Sequence, residues 1–255
     1  MELNKVYCMD NLELLKQLDD KSIDLIYSDV LYNTGRKFKD YDDRLGTPQQ
    51  AIEWYRPRLA EMKRVLIDTG SIYLQCDHNL IHYLKVEMDN IFGIKNFQNE
   101  IIWSYNSGGG TKKRFNRKHD NILWYSKSQK YKYNLQLEKR YMRYRYGFKH
   151  DNVEVFQDEN GFYTLGNRND VWKIDFLGNL KGERVGYDTQ KPKELLDIII
   201  NASSDNGDVV ADFFCGSGTS LVVAKELGRK YIGCDINPRA IEITNKRLNE
   251  VNKEC

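Results

Sequence analysis

Asp29 and Tyr32 stand three residues apart in the stretch "SDVLYNTG", directly after an apolar run that includes Ile23, Leu25 and Ile26. That run reads as a short buried strand, so an acid and an aromatic fall together at its carboxyl end. Such a pair at the end of a strand looks like a site, either a catalytic loop or a strand merely running into a loop. Val30 and Leu31 between them are unexpected, because a sharp exposed turn favours proline or glycine.

A second cluster lies far along the chain. "VVADFFCGSGTSLVVA" reads as a strand, a glycine turn and a helix. Gly216 and Gly218 permit a tight turn and a close approach of ligand to backbone at the helix N-terminus. Asp235 ends the next strand, 19 positions after Gly216. An acid at that place accepts hydrogen bonds from the two ribose hydroxyls of an adenosine. A dinucleotide fingerprint wants a third glycine where Leu221 stands, and a nucleoside-triphosphate loop wants a Gly-Lys-Ser/Thr that the sequence lacks. With Asp212 opening it, the loop instead resembles the S-adenosylmethionine loop of methyltransferases.

Alternating strand-like and helix-like runs must position these clusters. A helix is expected in "DNLELLKQL", with Asp10 or Asn11 as its cap, and a longer one from about residue 48 to 66. Strand "SIYLQC" follows Gly70, a helix runs from about 79 to 91, and "NEIIWSY" and "DNILWYSK" read as strands. The C-terminal part alternates helix, strand, glycine loop, helix, strand and helix. Such alternation argues for an α/β fold with a mostly parallel sheet and helices on both faces. Residues from about 129 on, rich in Tyr, Lys, Arg, Asn and Gly, show no sustained period. They read as an insertion, 129–185, outside the sheet, between 1–128 and 186–255.

Composition sets bounds on class. The 255 residues are 40% hydrophobic and 30% charged, as in a globular protein without disorder bias. No apolar run approaches the roughly 20 residues that cross a bilayer, and no signal-peptide pattern opens the chain. Five scattered cysteines with no C-x-x-C spacing argue against structural zinc and disulfides, and fit a cytoplasmic setting. Net charge is only +2, yet "GGGTKKRFNRKH" and "EKRYMRYRYGFKH" are locally basic. Basic residues attract phosphates and interleaved aromatics offer faces to bases.

With these stretches in order, the chain resembles amino-group DNA methyltransferases of the permuted β arrangement, of the adenine-N6 type found in bacterial restriction–modification systems. "SDVLYNTG" occupies the place of the catalytic tetrapeptide, where the family carries two prolines at positions 30 and 31. "NEIIWSYNSGGGTKKRFNRKHDNILWYSK" is similar to the family's strand, basic loop and strand. "GYDTQKPKELLDIII" resembles the segment closing over the cofactor's methionine end, and "ADFFCGSGTS" and "YIGCDINPRA" complete the cofactor site. The resemblance implies a Rossmann-like S-adenosylmethionine-dependent methyltransferase fold in which 129–185 is the target-recognition region.

It further implies that Asp29, the Val30 carbonyl and Tyr32 carry the chemistry on a base flipped out of duplex DNA. Asp at position 29 favours adenine over cytosine, since cytosine-N4 relatives more often carry Ser there. Cofactor contacts are implied at Cys8, Asp10 and Asp29, and at Gln190, Lys191 and Pro192. The glycine loop adds Asp212, Phe214, Gly216, Ser217, Gly218, Thr219 and Ser220, and the last strand adds Asp235 and Ile236. DNA contacts are expected from Lys112, Lys113, Arg114, Arg117 and Lys118 in the basic loop. Arg140, Arg143 and Arg145 are candidates for guanine edges. Double-stranded DNA is the implied partner, with a homodimer and a cognate restriction endonuclease as further partners. Losing the proline pair should loosen the loop and slow the enzyme.

Other chemistry-bearing residues have plainer readings. His78 and His82, four apart on a helix, lack a third ligand, and methyl transfer needs no metal. Asp77 and His78 follow a strand end, where contact with the pocket and ordinary surface roles both remain open. His119 and Asp120 open a strand, with DNA contact, capping or packing all possible. Cys215 lacks the Pro-Cys turn of a cytosine C5 nucleophile and reads as a small loop residue.

Overall fold

A computed structural model describes residues 1–35, 42–106, 109–142, 153–178 and 182–251. Eight strands form one sheet: β1 (Lys5–Cys8), β2 (Ile23–Asp29), β3 (Leu66–Cys76), β4 (Phe97–Ser104), β5 (His119–Ser126), β9 (Val171–Lys173), β10 (Val209–Asp212) and β11 (Lys230–Asp235). Their order is β1-β11-β10-β2-β3-β5-β4-β9. Strands β1, β11, β10, β2 and β3 are parallel, and β5 runs antiparallel to both its neighbours. The remaining strands, β6 (Leu137–Tyr141), β7 (Phe156–Asp158) and β8 (Gly161–Asn167), make a separate antiparallel sheet in the order β6-β8-β7.

Helices cover both faces. On one, α1 (Asn11–Lys16), α2 (Pro48–Val65) and α3 (Ile81–Phe92) bury Leu15, Leu59, Met62 and Met88 against Ile26, Ile72 and Leu74. On the other, α4 (Lys193–Ser203), α5 (Thr219–Glu226) and α6 (Pro238–Val251) bury Leu195, Ile199, Leu221 and Leu248 against Leu25, Tyr27 and Tyr73. Successive residues of β2 thus serve opposite cores, which is why its sequence is apolar throughout and not alternating. Local signals set the helix starts. Asp10 caps α1 by accepting from the Leu12 N–H, and Thr47 and Gln50 form a capping box ahead of Pro48 in α2.

Two boundaries differ from the sequence reading. β3 begins at Leu66, before Gly70, because the chain enters the sheet directly from α2. The segment 129–185 is not wholly outside the main sheet: β9 pairs in parallel with β4, Ile102 opposite Val171. Three residues carry no readable period, so only the pairing reveals this strand.

The topology places the site. From β10 the chain leaves through α5 toward β11, and from β2 it leaves through α2 toward β3 on the other side. The adjacent carboxyl ends of β10 and β2 therefore flank a topological switch point, where an open α/β sheet leaves a crevice for ligand. Asp212 and Asp29 are the last residues of those two strands.

Candidate active site

A cavity of about 990 Å³ opens at that switch point. It brings together Asp29, Val30 and Tyr32 from the β2 end and Asp212, Phe214, Gly216, Ser217, Thr219 and Ser220 from the glycine turn. Asp10, Lys191, Asp235 and Ile236 also line it, as do Asp77 and His78. Two loops more than 180 residues apart in sequence thus share one cavity.

The glycine turn is built from both ends. Gly216 and Gly218 have φ of +49° and +72°. A Cβ on Gly218 would sit 2.3 Å from Thr244 Cγ2, so α6 packs too closely for any side chain there. Asp235 Oδ2 accepts from the Gly216 N–H at 2.9 Å, tying the acid of β11 to the turn. Arg247 of α6 donates to the Ser217 carbonyl at 2.7 Å and to Thr219 Oγ1 at 2.9 Å. Asp212 accepts from the Ser220 hydroxyl and from the Phe214 N–H at 3.0 Å. Burial pushes its carboxyl up to about 7; those two hydrogen bonds pull the other way, and nearby Asp29 and Asp235 add to the rise.

These residues suit S-adenosylmethionine. Its sulfonium and ammonium groups are cationic, and Asp10, Asp29, Asp212 and Asp235 all face the cavity. Trp54 lines it beside Phe214, with ring centroids 6.2 Å apart, giving an apolar wall for a flat base. Arg58 stacks over Trp54 at 3.5 Å and donates to Asp10 at 2.8 Å, so the guanidinium holds both. Sequence reasoning missed Trp54 and Arg58, since mid-helix residues give no motif signal.

Some expected cofactor residues lie elsewhere. Cys8, Gln190, Pro192 and Gly218 do not line the cavity. Gln190 turns its amide to the loop before it, donating to the Glu183 carbonyl and accepting from the Val185 N–H. Pro192 is the N-cap position of α4. Lys191 directs its ammonium to Asp29 as a largely buried ion pair. Burial drives the Asp29 carboxyl above its ordinary range, while Lys191 and the Tyr32 hydroxyl oppose that drift and favour the ionised form.

Tyr32 sits at a junction. Its hydroxyl is 2.7 Å from Asp29 Oδ1 and 3.0 Å from Asp120 Oδ2, and accepts from Gln75 Nε2 at 3.1 Å. Gln75 also donates to Asp120 and accepts from the Tyr27 hydroxyl, and Tyr105 donates to Asp120 at 3.1 Å. Asp120 therefore belongs to the site, held there by pairing of β5 with β3 and β4. Its sequence neighbourhood gave no such sign.

Where the family's prolines are missing, Val30 and Leu31 have contacts of their own. The Val30 N–H donates to the Gln75 carbonyl at 3.2 Å, extending the β2–β3 ladder by one rung. The Val30 side chain is buried in the α1–α3 core. The Tyr55 hydroxyl donates to the Leu31 carbonyl at 2.8 Å. Hydrogen bonds and packing, in place of a proline ring, are what hold this stretch.

The basic loop between β4 and β5 borders the same cavity. Lys112, Lys113, Arg114 and Arg117 are exposed, Lys118 is half-buried, and Arg117 lines the cavity. Arg140 stands on β6 and donates to the Asn167 carbonyl. Arg143 and Arg145 lie outside the described residues. His78 lines the cavity, whereas His82 faces a separate groove between α2 and α3. Burial pushes the Cys215 thiol well above its usual value, which disfavours the nucleophilic thiolate.

A parallel switch-point crevice with a glycine turn and its partner acid is the arrangement of an α/β protein that binds a nucleoside-containing cofactor. Residues 23–246 match the DNA methylase family, and the chain belongs to it. It is 32% identical over 245 residues to the Type II methyltransferase M.HpaI of Haemophilus parainfluenzae, covering 96% of this chain and 74% of that one. It is also 32% identical over 247 residues to the DNA adenine methyltransferase YhdJ of Escherichia coli (strain K12), covering 94% and 81%. Among solved structures it is similar to PvuII DNA methyltransferase (cytosine-N4-specific), with a TM-score of 0.70 at 17% identity over 99% of this chain and 91% of that one. The M1.HpyAVI-SAM complex gives a TM-score of 0.62 at 20% identity over 96% and 99%. At such identities these two likenesses establish the fold. No helix among the described residues is long and apolar enough to cross a membrane.

Proposed function

We propose that this DNA methyltransferase acts on the N6 amino group of adenine within a short site in duplex DNA, taking the base out of the helix to do so. The observation that carries this reading is the shared cavity: Asp29 and Tyr32 stand at its β2 side and the adenosine-binding turn with Asp235 at its other side. S-adenosylmethionine is the cofactor, and when bound it supplies an electrophilic methyl group.

The protein's own groups do the rest. Asp29 and the Val30 carbonyl accept the two amine hydrogens, so the lone pair is concentrated on nitrogen where positive charge develops. Lys191, paired with Asp29, favours its ionised form against the burial that raises the carboxyl. The Tyr32 ring supplies the face against the extruded base. The exposed lysines and arginines of the 109–118 loop meet phosphates beside the cavity mouth. Asp29 then stands within reach of the proton that the alkylated nitrogen must release.

Cytosine N4 is the second reading, favoured by the structural likeness to the cytosine-N4-specific PvuII enzyme. Adenine is preferred because position 29 is Asp and because one of the relatives at 32% identity is described as an adenine methyltransferase. A restriction–modification setting with a paired endonuclease and a homodimeric assembly belong to the same proposal. The deciding experiment is methyl transfer to plasmid DNA, followed by nucleoside mass analysis and single-molecule mapping of modified sites. N6-methyladenine at one short sequence is expected. N4-methylcytosine alone would overturn the base assignment, and cofactor binding without any methyl transfer would overturn the catalytic reading.

A further inference from the structure

Phe115 is 98% exposed, the most exposed of the large apolar side chains among the described residues. A single exposed apolar side chain is ordinary by itself, so its surroundings decide its reading. Lys112, Lys113 and Arg114 precede it and Arg117 follows it, all exposed. Such a flank favours a polyanion over an apolar protein face. The loop is shaped by its own hydrogen bonds. The Thr111 N–H donates to Asn116 Oδ1 at 2.8 Å, the Lys113 N–H to Thr111 Oγ1 at 3.2 Å, and Lys118 Nζ to the Gly109 carbonyl at 3.0 Å. Phe115 is on the outside of that closed turn.

Its position relative to the cavity is fixed by the same segment. Arg117, two residues on, lines the cavity, and Asp120, five residues on, holds Tyr32. Two residues of chain span at most about 7 Å, so the Phe115 backbone lies close to that of a cavity-lining residue, on the loop that borders the opening into which a flipped base must pass. A base taken out of a duplex leaves a gap between its stacked neighbours, and a planar apolar side chain is the kind of group that fills such a gap.

We propose that Phe115 is a wedge that enters the base stack of duplex DNA and occupies the space vacated by the target base. This rests on the duplex-methylation reading above. The ring touches no reacting atom, so it acts by holding the flipped state open. Its benefit is confined to substrates whose target base must be unpaired and unstacked.

The test uses full-length protein with S-adenosylmethionine and two duplexes carrying the mapped site. One is fully paired, and the other has an abasic position opposite the target. Phe115→Ala should lower kcat/KM on the paired duplex by about ten- to a hundredfold and on the abasic duplex by no more than about threefold. Phe115→Trp should recover most of the loss, and 2-aminopurine at the target position should lose its flipping fluorescence only with Phe115→Ala. Equal loss on both duplexes assigns the residue to general DNA contact and overturns the proposal. No loss on either also overturns it, and self-association that disappears with Phe115→Ala would assign the ring to a second copy of the chain. If the unaltered protein methylates neither duplex, it is the underlying function that fails. A side chain this exposed leaves folding unaffected by its removal, and a Tm of Phe115→Ala equal to that of the unaltered protein checks that point.

Discussion

Replacing Val30 by proline restores half of the family's pair and removes a hydrogen bond that this chain has put in its place. The Val30 N–H donates to the Gln75 carbonyl, and both residues are buried. That carbonyl faces β2, so no solvent is at hand to replace the lost donor. Leaving a buried carbonyl without a partner costs about 1–3 kcal/mol. Stiffening the unfolded chain with a proline returns about 0.4–1 kcal/mol. Val30→Pro is therefore expected to be destabilised by up to about 2.6 kcal/mol, centred near about 1.3. For a chain of this size each kcal/mol moves Tm by about 2–4 °C, giving a fall of up to about 10 °C. Leu31→Pro is the control. Its carbonyl, which accepts from Tyr55, survives the change, and its N–H has no partner among the described residues. Its effect should stay within about 1 kcal/mol in either direction. Calorimetric melting of the two variants beside the unaltered protein reads the difference directly. If Val30→Pro melts at or above the unaltered protein and also turns over faster, the hydrogen bond contributes nothing and the loop is indeed loosened by its valine.

Three further outcomes follow from the site. The raised Asp212 means that the folded protein holds this proton more tightly than the unfolded chain, so its contribution to stability is full below the ordinary carboxylate range and is lost as pH rises through about 7. A cationic cofactor favours the ionised form, so affinity should weaken by up to about tenfold per unit below pH about 7, with proton release on binding. Titration calorimetry in two buffers of different ionisation enthalpy checks this, and identical heats would refute it. One phenolic proton cannot serve Asp29 and Asp120 together, so Asp120 is the acceptor left for Tyr32 when Asp29 turns to an amine. Asp120→Asn should cost about tenfold in kcat, yet add little in a Tyr32→Phe background; an equal loss in both would place its effect elsewhere. Gly218→Ala forces a side chain into left-handed backbone and against Thr244. A loss of about 2 kcal/mol or more is expected, read as a lower Tm and weaker cofactor binding, and an unchanged protein would show that α6 can yield.

The glycine turn and its acid were legible in sequence because the helix starts seven residues after the last residue of β10, and the next strand supplies Asp235. Those groups are placed by local geometry, and local geometry leaves a pattern. Gln190 and Pro192 were legible only as a resemblance, and in the fold they build the loop and the start of α4 and do not touch the cavity. β9 escaped notice because three residues are too few to show a period, and its place on β4 is a long-range pairing.

An α/β protein, with an acid and an aromatic ending one strand and a cofactor turn following another, is legible in the residues alone. These follow from hydrophobic periodicity and from residue types whose backbone demands are strict. Tertiary structure alone decided what surrounds them. Strand order brought Asp29 beside Asp212 at the switch point, β3 and β5 carried Gln75 and Asp120 to the Tyr32 hydroxyl, and the start of α4 delivered Lys191 to Asp29. It also supplied the partner of the Val30 N–H, because a backbone N–H without a proline can be satisfied only when a strand lies alongside to accept it.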